Sequence, residues 1–273
     1  FSAVPSGAGT PCLFDKTPPV VGSMNSPQYT KTTPIPVEFG GISDGAGSGL
    51  KKVYLWFRKD GGSWTDSGLS LVAASGAFSP GASQNGTYEY ALRVEDTAGN
   101  ISPVPGGAGQ TATVFDTVAP ALGTVSAPGT ENAPPISVVY SGVQDAGSGL
   151  KAVYLWFRKG AGTWQNSGLS SAGESGSFSF NGMTGNDTYY FAVQADDNAG
   201  NLTPVPSGDG GANTVYSAQF SPGTAASPQY ATSAPIIVTY SGAVAAEIGI
   251  KSVRLWCKYG SAGEWVNTGL TSP

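Results

Sequence analysis

Six aspartates, in two trios, are the residues of this 273-residue chain best equipped for chemistry. Asp15, Asp44 and Asp96 form the first trio; Asp116, Asp145 and Asp197 follow about 100 residues later as the second. Clustered carboxylates with turn carbonyls are what a hard cation such as calcium requires, because it takes six to eight oxygen ligands. The same residues admit a second reading. Asp and Asn cap tight turns by hydrogen-bonding their own backbone, and Asp-x-Ala-Gly-Asn makes a good hairpin connection with no metal in it. Further along, the first two positions change together, to Ser217 and to Ala245-Ala246-Glu247, as loss of a shared site predicts.

Other catalytic chemistry is scarce. The chain has no histidine, which excludes Ser-His-Asp and Cys-His arrangements and the usual His-containing zinc sites. A catalytic role would rest on carboxylates alone, and these lie in turns with no deep pocket implied, so no enzyme is expected. Calcium is the one cofactor the residues suggest. A net charge of -5 argues against a phosphate-backbone binder, so nucleic acid is discounted as a partner. With no run of 18 apolar residues, no membrane insertion is expected in this segment. The start at Phe1 fits a processed product or a fragment.

The elements that must position these residues follow from composition and self-comparison. Charged residues make up 11% of the chain, so Ser, Thr, Asn and Gly must build the surface. Forty Gly and 20 Pro beside many Val, Tyr, Thr, Phe and Trp indicate short strands joined by tight turns, an all-β chain. Gly47-Ser48-Gly49-Leu50-Lys51 and Val53-Tyr54-Leu55-Trp56-Phe57-Arg58-Lys59 recur from Gly147 and Val153, and a worn third copy runs from Ile250 to Lys258. The segment from Thr87 to Asn100 matches that from Thr188 to Asn201. A period of about 100 residues is one β-sandwich domain, too long for a solenoid coil or a propeller blade. About seven strands per unit are expected, in the first copy near 20–22, 35–39, 52–59, 64–67, 76–79, 88–95 and 111–115. Tyr88, Tyr90, Leu92 and Val94 alternate toward one side, as do Tyr189, Phe191, Val193 and Ala195, which marks them as core.

The Trp-bearing third strand, the Tyr-rich sixth strand running into Asp96-Thr97-Ala98-Gly99-Asn100, and the Pro-rich boundary Asp15-Lys16-Thr17-Pro18-Pro19 resemble tandem immunoglobulin-like or fibronectin type III-like repeats. Such repeats are common in bacterial and archaeal cell-surface and extracellular filament proteins. The resemblance implies tandem immunoglobulin-like β-sandwiches: 1–19 as the last strand of a preceding repeat plus linker, 20–119 as repeat 1, 120–219 as repeat 2 and 220–273 as an incomplete repeat 3. The third repeat then stops after about four strands, and the chain is either a window on a longer array or a subunit whose N-terminal strand completes another copy. The topology also implies that each aspartate trio converges at one pole of its domain, so that calcium there would stiffen the linkers.

Three further sets of residues stand out. With Val53, Leu55 and Phe57 inward, Tyr54, Trp56 and Arg58 turn outward, as do Tyr154, Trp156 and Arg158, with Trp256 in the third copy. Such an aromatic stripe suits sugar stacking or lateral packing, or else cross-strand and cation-π pairing with neighbours such as Trp64. Asn85, Asn100, Asn186 and Asn201 open N-x-S/T triplets that could carry glycans, although such triplets arise freely in Asn- and Thr-rich turns. Cys12 and Cys257 share no complete domain, so they are buried free thiols, partners of residues elsewhere, or inter-subunit cysteines of copies joined head to tail. The expected function is that of a non-enzymatic, extracellular structural repeat protein: part of a cell-surface fibre, filament or adhesin stalk, whose partners are copies of itself and glycans. A carbohydrate-binding module and the spacer of a larger secreted hydrolase are the rivals.

Overall fold

The computed structural model describes residues 7, 11–218, 221–245 and 249–273. Among these the chain is all-β, with no helix. It divides into two compact units, one holding the described residues up to Pro120 with Asp145–Lys151 and Asp196–Leu202, the other holding the remainder. That division follows chemistry rather than repeat boundaries. The Asp116 carboxylate, one residue beyond the last strand of the first repeat, accepts the Ser148 amide at 2.8 Å and so draws the 145–151 loop into the first unit.

Eight strands build the first repeat: β1 (Ser23–Asn25), β2 (Tyr29–Thr30), β3 (Val37–Gly40), β4 (Leu50–Lys59), β5 (Thr65–Leu71), β6 (Gly76–Phe78), β7 (Gly86–Asp96) and β8 (Thr111–Phe115). They form a three-stranded sheet of order β1-β3-β6 and a five-stranded sheet of order β2-β8-β7-β4-β5. All pairs are antiparallel except β2 with β8, which is parallel. The two sheets contribute inward rows, Val37, Phe39 and Phe78 from one and Val53, Leu55, Leu92 and Val94 from the other, to a single core. Register keeps like with like, since Val53 lies opposite Val94, Leu55 opposite Leu92 and Phe57 opposite Tyr90. A one-residue slip would turn this whole row to solvent. Three-on-five sheets with this strand order make an immunoglobulin-like sandwich.

The second repeat rebuilds the plan with β9 (Thr124–Ser126), β10 (Thr130–Glu131), β11 (Ile136–Ser141), β12 (Leu150–Lys159), β13 (Gln165–Ser171), β14 (Gly176–Phe180), β15 (Asp187–Asp197) and β16 (Ala212–Tyr216). Its sheets run β14-β11-β9 and β10-β16-β15-β12-β13. After it come β17 (Thr224–Ala226) with β18 (Thr239–Ser241), and β19 (Val253–Cys257) with β20 (Val266–Ser272), two separate two-stranded ribbons. Strands equivalent to β6, β7 and β8 are not found there among the described residues. Side chains that would be core are therefore open, Ile236, the counterpart of the buried Ile35 and Ile136, at 58% and Leu270 at 63% exposure.

The first strand lies later than the sequence predicts, and an eighth strand joins the seven. Val20 makes a lone bridge to Ser43, and the ladder resumes at Ser23 rather than running through 20–22. The cause is Gly22. A Cβ there would lie 1.9 Å from the Gly40 carbonyl oxygen, and at Gly123 a Cβ would lie 1.9 Å from that of Ser141. Backbone meets backbone at this crossing, which a side chain would force apart. Gly22→Ala and Gly123→Ala should each destabilise their repeat by about 1–3 kcal/mol or more, as overpacking does. Urea melts of the full chain check this, and an unchanged midpoint would refute it.

Candidate metal centre

Each acidic pole is assembled from three chain segments, and its geometry begins with a carboxylate out of reach of water. Asp96 ends β7 at 0% exposure, and Asp197 ends β15 at the same value. A buried carboxylate must be hydrogen-bonded to be tolerated. The turn that follows meets that demand: the Asn100 amide donates to Asp96 Oδ1 at 2.8 Å, and Asn100 Nδ2 donates to Oδ2 at 2.6 Å. Asn201 repeats both bonds on Asp197, at 2.8 and 2.7 Å. Nδ2 of each asparagine also donates to a carbonyl, Asn100 to Asp15 at 3.3 Å and Asn201 to Asp116 at 2.9 Å. The Asp-x-Ala-Gly-Asn turn thus seizes the segment that opens its domain.

The other two aspartates close the pole. Asp15 accepts the amides of Thr17 at 3.0 Å and Ser48 at 2.7 Å, and Asp44 accepts that of Gly49 at 2.6 Å. In the second pole, Asp116 accepts Val118 at 3.0 Å and Ser148 at 2.8 Å, while Asp145 accepts Gly149 at 2.7 Å. Carboxylate oxygens of Asp15, Asp44 and Asp96 all lie within 4.8 Å of one another, and the same holds for Asp116, Asp145 and Asp197. Among the described residues, no lysine or arginine forms an ion pair with any of the six.

The donor set fits a hard cation. Three carboxylates of one sign, with oxygens within 4.8 Å of one another, repel unless a cation lies between them. The space for it is kept by glycine. A Cβ on Gly47 would stand 2.5 Å from Asp44 Oδ2 and 2.8 Å from Asp15 Oδ2; one on Gly147 would stand 2.3 Å from Asp116 Oδ2. Oxygen ligands without nitrogen or sulfur suit calcium. The sequence alone does not assign the roles of Gly47, Ser48 and Asn100, though the recurrence of Gly-Ser-Gly and Ala-Gly-Asn is the signal for them. In the third repeat Ser217 is buried at 3%, and Ala246 and Glu247 lie outside the described residues.

Electrostatics differ within the second pole. Burial alone would push the Asp116 carboxyl up, but the amides of Val118 and Ser148 outweigh it and hold Asp116 below its ordinary 3.8. Burial pushes Asp145 above 3.8, with the charges of Asp116 and Asp197 adding to it against the Gly149 amide. In the first pole the amides of Thr17 and Ser48 hold Asp15 low.

The outward rows of the large sheets are half-buried rather than open. Tyr54 donates to Glu95 Oε2 at 2.7 Å, Arg93 lies 5.8 Å over Trp56, and Arg58 lies 5.0 Å over Trp64 while forking onto Glu89. In the second repeat, Trp156 Nε1 donates to Gln194 and Arg158 stacks on Tyr190 at 3.9 Å, with Tyr154 likewise half-buried beside them. Trp256, on the open ribbon, is 50% exposed. Of the four sequon asparagines, Asn100 and Asn201 spend both Nδ2 hydrogens on the poles, and a glycan would replace one of them. At the other end of each sandwich, Asn85 takes the Thr117 amide and Asn186 the Ala218 amide. Cys12 and Cys257 are both free and exposed rather than buried, Cys257 at the end of β19.

The pKa directions set a pH dependence for the metal-free chain. Asp145, raised, costs stability at every pH above its folded pKa, and that cost is lifted as pH falls through the folded value down to the ordinary 3.8. Asp116 and Asp15, lowered, contribute stability that is lost only as pH falls through their folded values, below 3.8. Melts in chelator between about pH 4 and 8 should show the 145–151 pole gaining stability toward the acid end, and Asp145→Asn should remove that gain. A profile identical in wild type and Asp145→Asn would contradict this assignment.

No family model matches the chain, and no curated protein matches it. Among solved structures, the FN1–FN3 domains of chicken CNTN1 are similar at 15% identity and a TM-score of 0.42, over 68% of this chain and 64% of that one. A cytokine receptor complex is similar at 18% identity and a TM-score of 0.25, over 67% of this chain and 94% of that one. The chain thus spans 64% of the length of the first.

Proposed function

We propose that the chain is a segment of a non-enzymatic, extracellular structural repeat protein, a fibre, filament or adhesin stalk, in which each acidic pole binds calcium. One observation carries the reading: the pole's serine, glycine and asparagine bonds recur in the second repeat, where Ser148 meets Asp116, Gly149 meets Asp145 and Asn201 meets Asp197, just as Ser48 meets Asp15, Gly49 meets Asp44 and Asn100 meets Asp96. Catalytic sites are seldom duplicated along one chain, whereas a load-bearing element gains from each copy. The pole unites the segment that opens a sandwich with the ends of its two longest strands, so a cation there ties residues that tension would pull apart. Partners under this reading are neighbouring repeats or further copies of the chain. The half-buried Trp56 and Trp156 weigh against sugar stacking on the sheet faces.

Single-molecule extension of the full chain tests the proposal. Two unfolding steps are expected, each releasing about 100 residues or roughly 300 Å of contour. Calcium should raise the unfolding force of both, and at a hundredfold excess over Kd it should add about 2.7 kcal/mol to stability. Asp44→Asn should cancel the effect in one step and Asp145→Asn in the other. Forces equal in calcium and in chelator would overturn the calcium role, and extension without resolved steps would overturn the mechanical one.

A further inference from the structure

We infer that the first repeat binds a small single-ring aromatic molecule bearing a hydrogen-bond acceptor, in the cavity walled by Phe57, Leu69, Pro80, Tyr88 and Tyr90. The cavity has a volume of about 280 Å³ and opens between β5 and β6. Its counterpart in the second repeat is filled. There β14 continues to Phe180, which pairs with Ile136, and the Phe180 ring lies 4.6 Å from Phe157, 5.3 Å from Phe191 and 6.5 Å from Tyr189. In the first repeat, Pro80 holds the position of Phe180, with its carbonyl accepting the Ile35 amide at 2.9 Å. Phe57, Tyr90 and Tyr88 stand where Phe157, Phe191 and Tyr189 stand, so three walls of an aromatic box are kept while the ring they surround is missing.

A second difference accompanies the first. Where the filled box has Phe191, the open one has Tyr90, whose ring is 0% exposed and whose hydroxyl has no hydrogen-bond partner among the described residues. An orphaned buried hydroxyl is costly, and burial keeps this one protonated, a donor, far above neutral pH. Loss of a ring and gain of an unpaired donor on a residue lining the space it left are the two changes a ligand would require: a planar apolar body packed against Phe57, Leu69 and Pro80, and an acceptor for Tyr90. The lining sets the apolar faces of Phe57, Leu69, Pro80 and Tyr88 beside the hydroxyl-bearing Ser67, Ser79 and Tyr90, and small-molecule sites likewise combine an apolar wall with a few polar groups.

Side-chain NMR of the full chain titrated with acetophenone and with toluene tests the inference. Acetophenone, which carries a carbonyl acceptor, should shift the Phe57, Leu69 and Tyr88 signals saturably, and toluene should bind there at least about fivefold more weakly. Tyr90→Phe, which copies the natural Phe191, should bring the two affinities together. Pro80→Phe, which restores the ring of the second repeat, should abolish binding of both; if that variant does not fold, Leu69→Trp fills the same space from β5. The inference is overturned if neither probe shifts these signals saturably, if binding survives the filling variant, or if acetophenone keeps its advantage in Tyr90→Phe.

Discussion

A carboxylate with no access to water, Asp96 in one repeat and Asp197 in the other, is the constraint on which the rest of each sandwich depends. Left alone it would be expelled or protonated, so the residues around it are arranged to supply donors. Asn100 and Asn201 give it two each, and the tight turn that allows this needs glycine in the left-handed region at Gly99 and Gly200 (φ +93 and +88). Once fixed, the asparagine has a hydrogen left for the carbonyl of Asp15 or Asp116. Through that bond the start of the domain is tied to the end of its longest strand. The serine of the facing loop adds a second tie, with Ser48 Oγ accepting the Ala98 amide and Ser148 Oγ that of Ala199.

From this anchored end the long strands carry the core outward. β4 and β7 are antiparallel along most of their length, so fixing their shared end fixes the register of Val53, Leu55 and Phe57 against Val94, Leu92 and Tyr90. The outer face is settled by charge instead of apolar burial. Lys51 pairs with Glu95 at 2.7 Å and Lys151 with Asp196 at 3.1 Å. Both pairs have an exposed lysine, so each contributes little energy and serves mainly to align.

Much of this was legible in the sequence because it follows from periodicity. Alternating Tyr88, Tyr90, Leu92 and Val94 could lie on one side of a strand in no other way, and the aspartates converge because an immunoglobulin-like strand order brings their loops to one end. The displaced first strand was not legible, since its position is set by the Gly40 carbonyl lying across Gly22, a contact between backbones that no side-chain pattern encodes. The parallel β2–β8 pair is two residues long, too short for any alternation to show. The role of Asn100 and Asn201 was hidden for another reason: N-x-S/T spells a glycan acceptor, and only the positions of both Nδ2 hydrogens reveal that the side-chain amide is already bound into the pole.

The two repeats also act as controls for one another, and the positions where they differ are the informative ones. Arg58 and Arg158 occupy the same place over Trp64 and Trp164, but their neutralisation differs. In the first repeat Glu89 faces Arg58 across the ladder and binds it through two nitrogens, at 3.0 and 2.8 Å. Tyr190 replaces that glutamate in the second, offering a ring face at 3.9 Å, and the missing charge is made good by Asp209 from the following loop at 2.6 Å. A guanidinium half-buried on a sheet must be compensated, but the compensation can come from a carboxylate on the neighbouring strand or from a π face and a loop acid. The requirement is therefore physical and local, set by the arginine, and no ligand need be invoked for it. The Pro80–Tyr90 difference is of another kind, because there the first repeat loses a ring, gains an unpaired donor and holds no compensating group among the described residues.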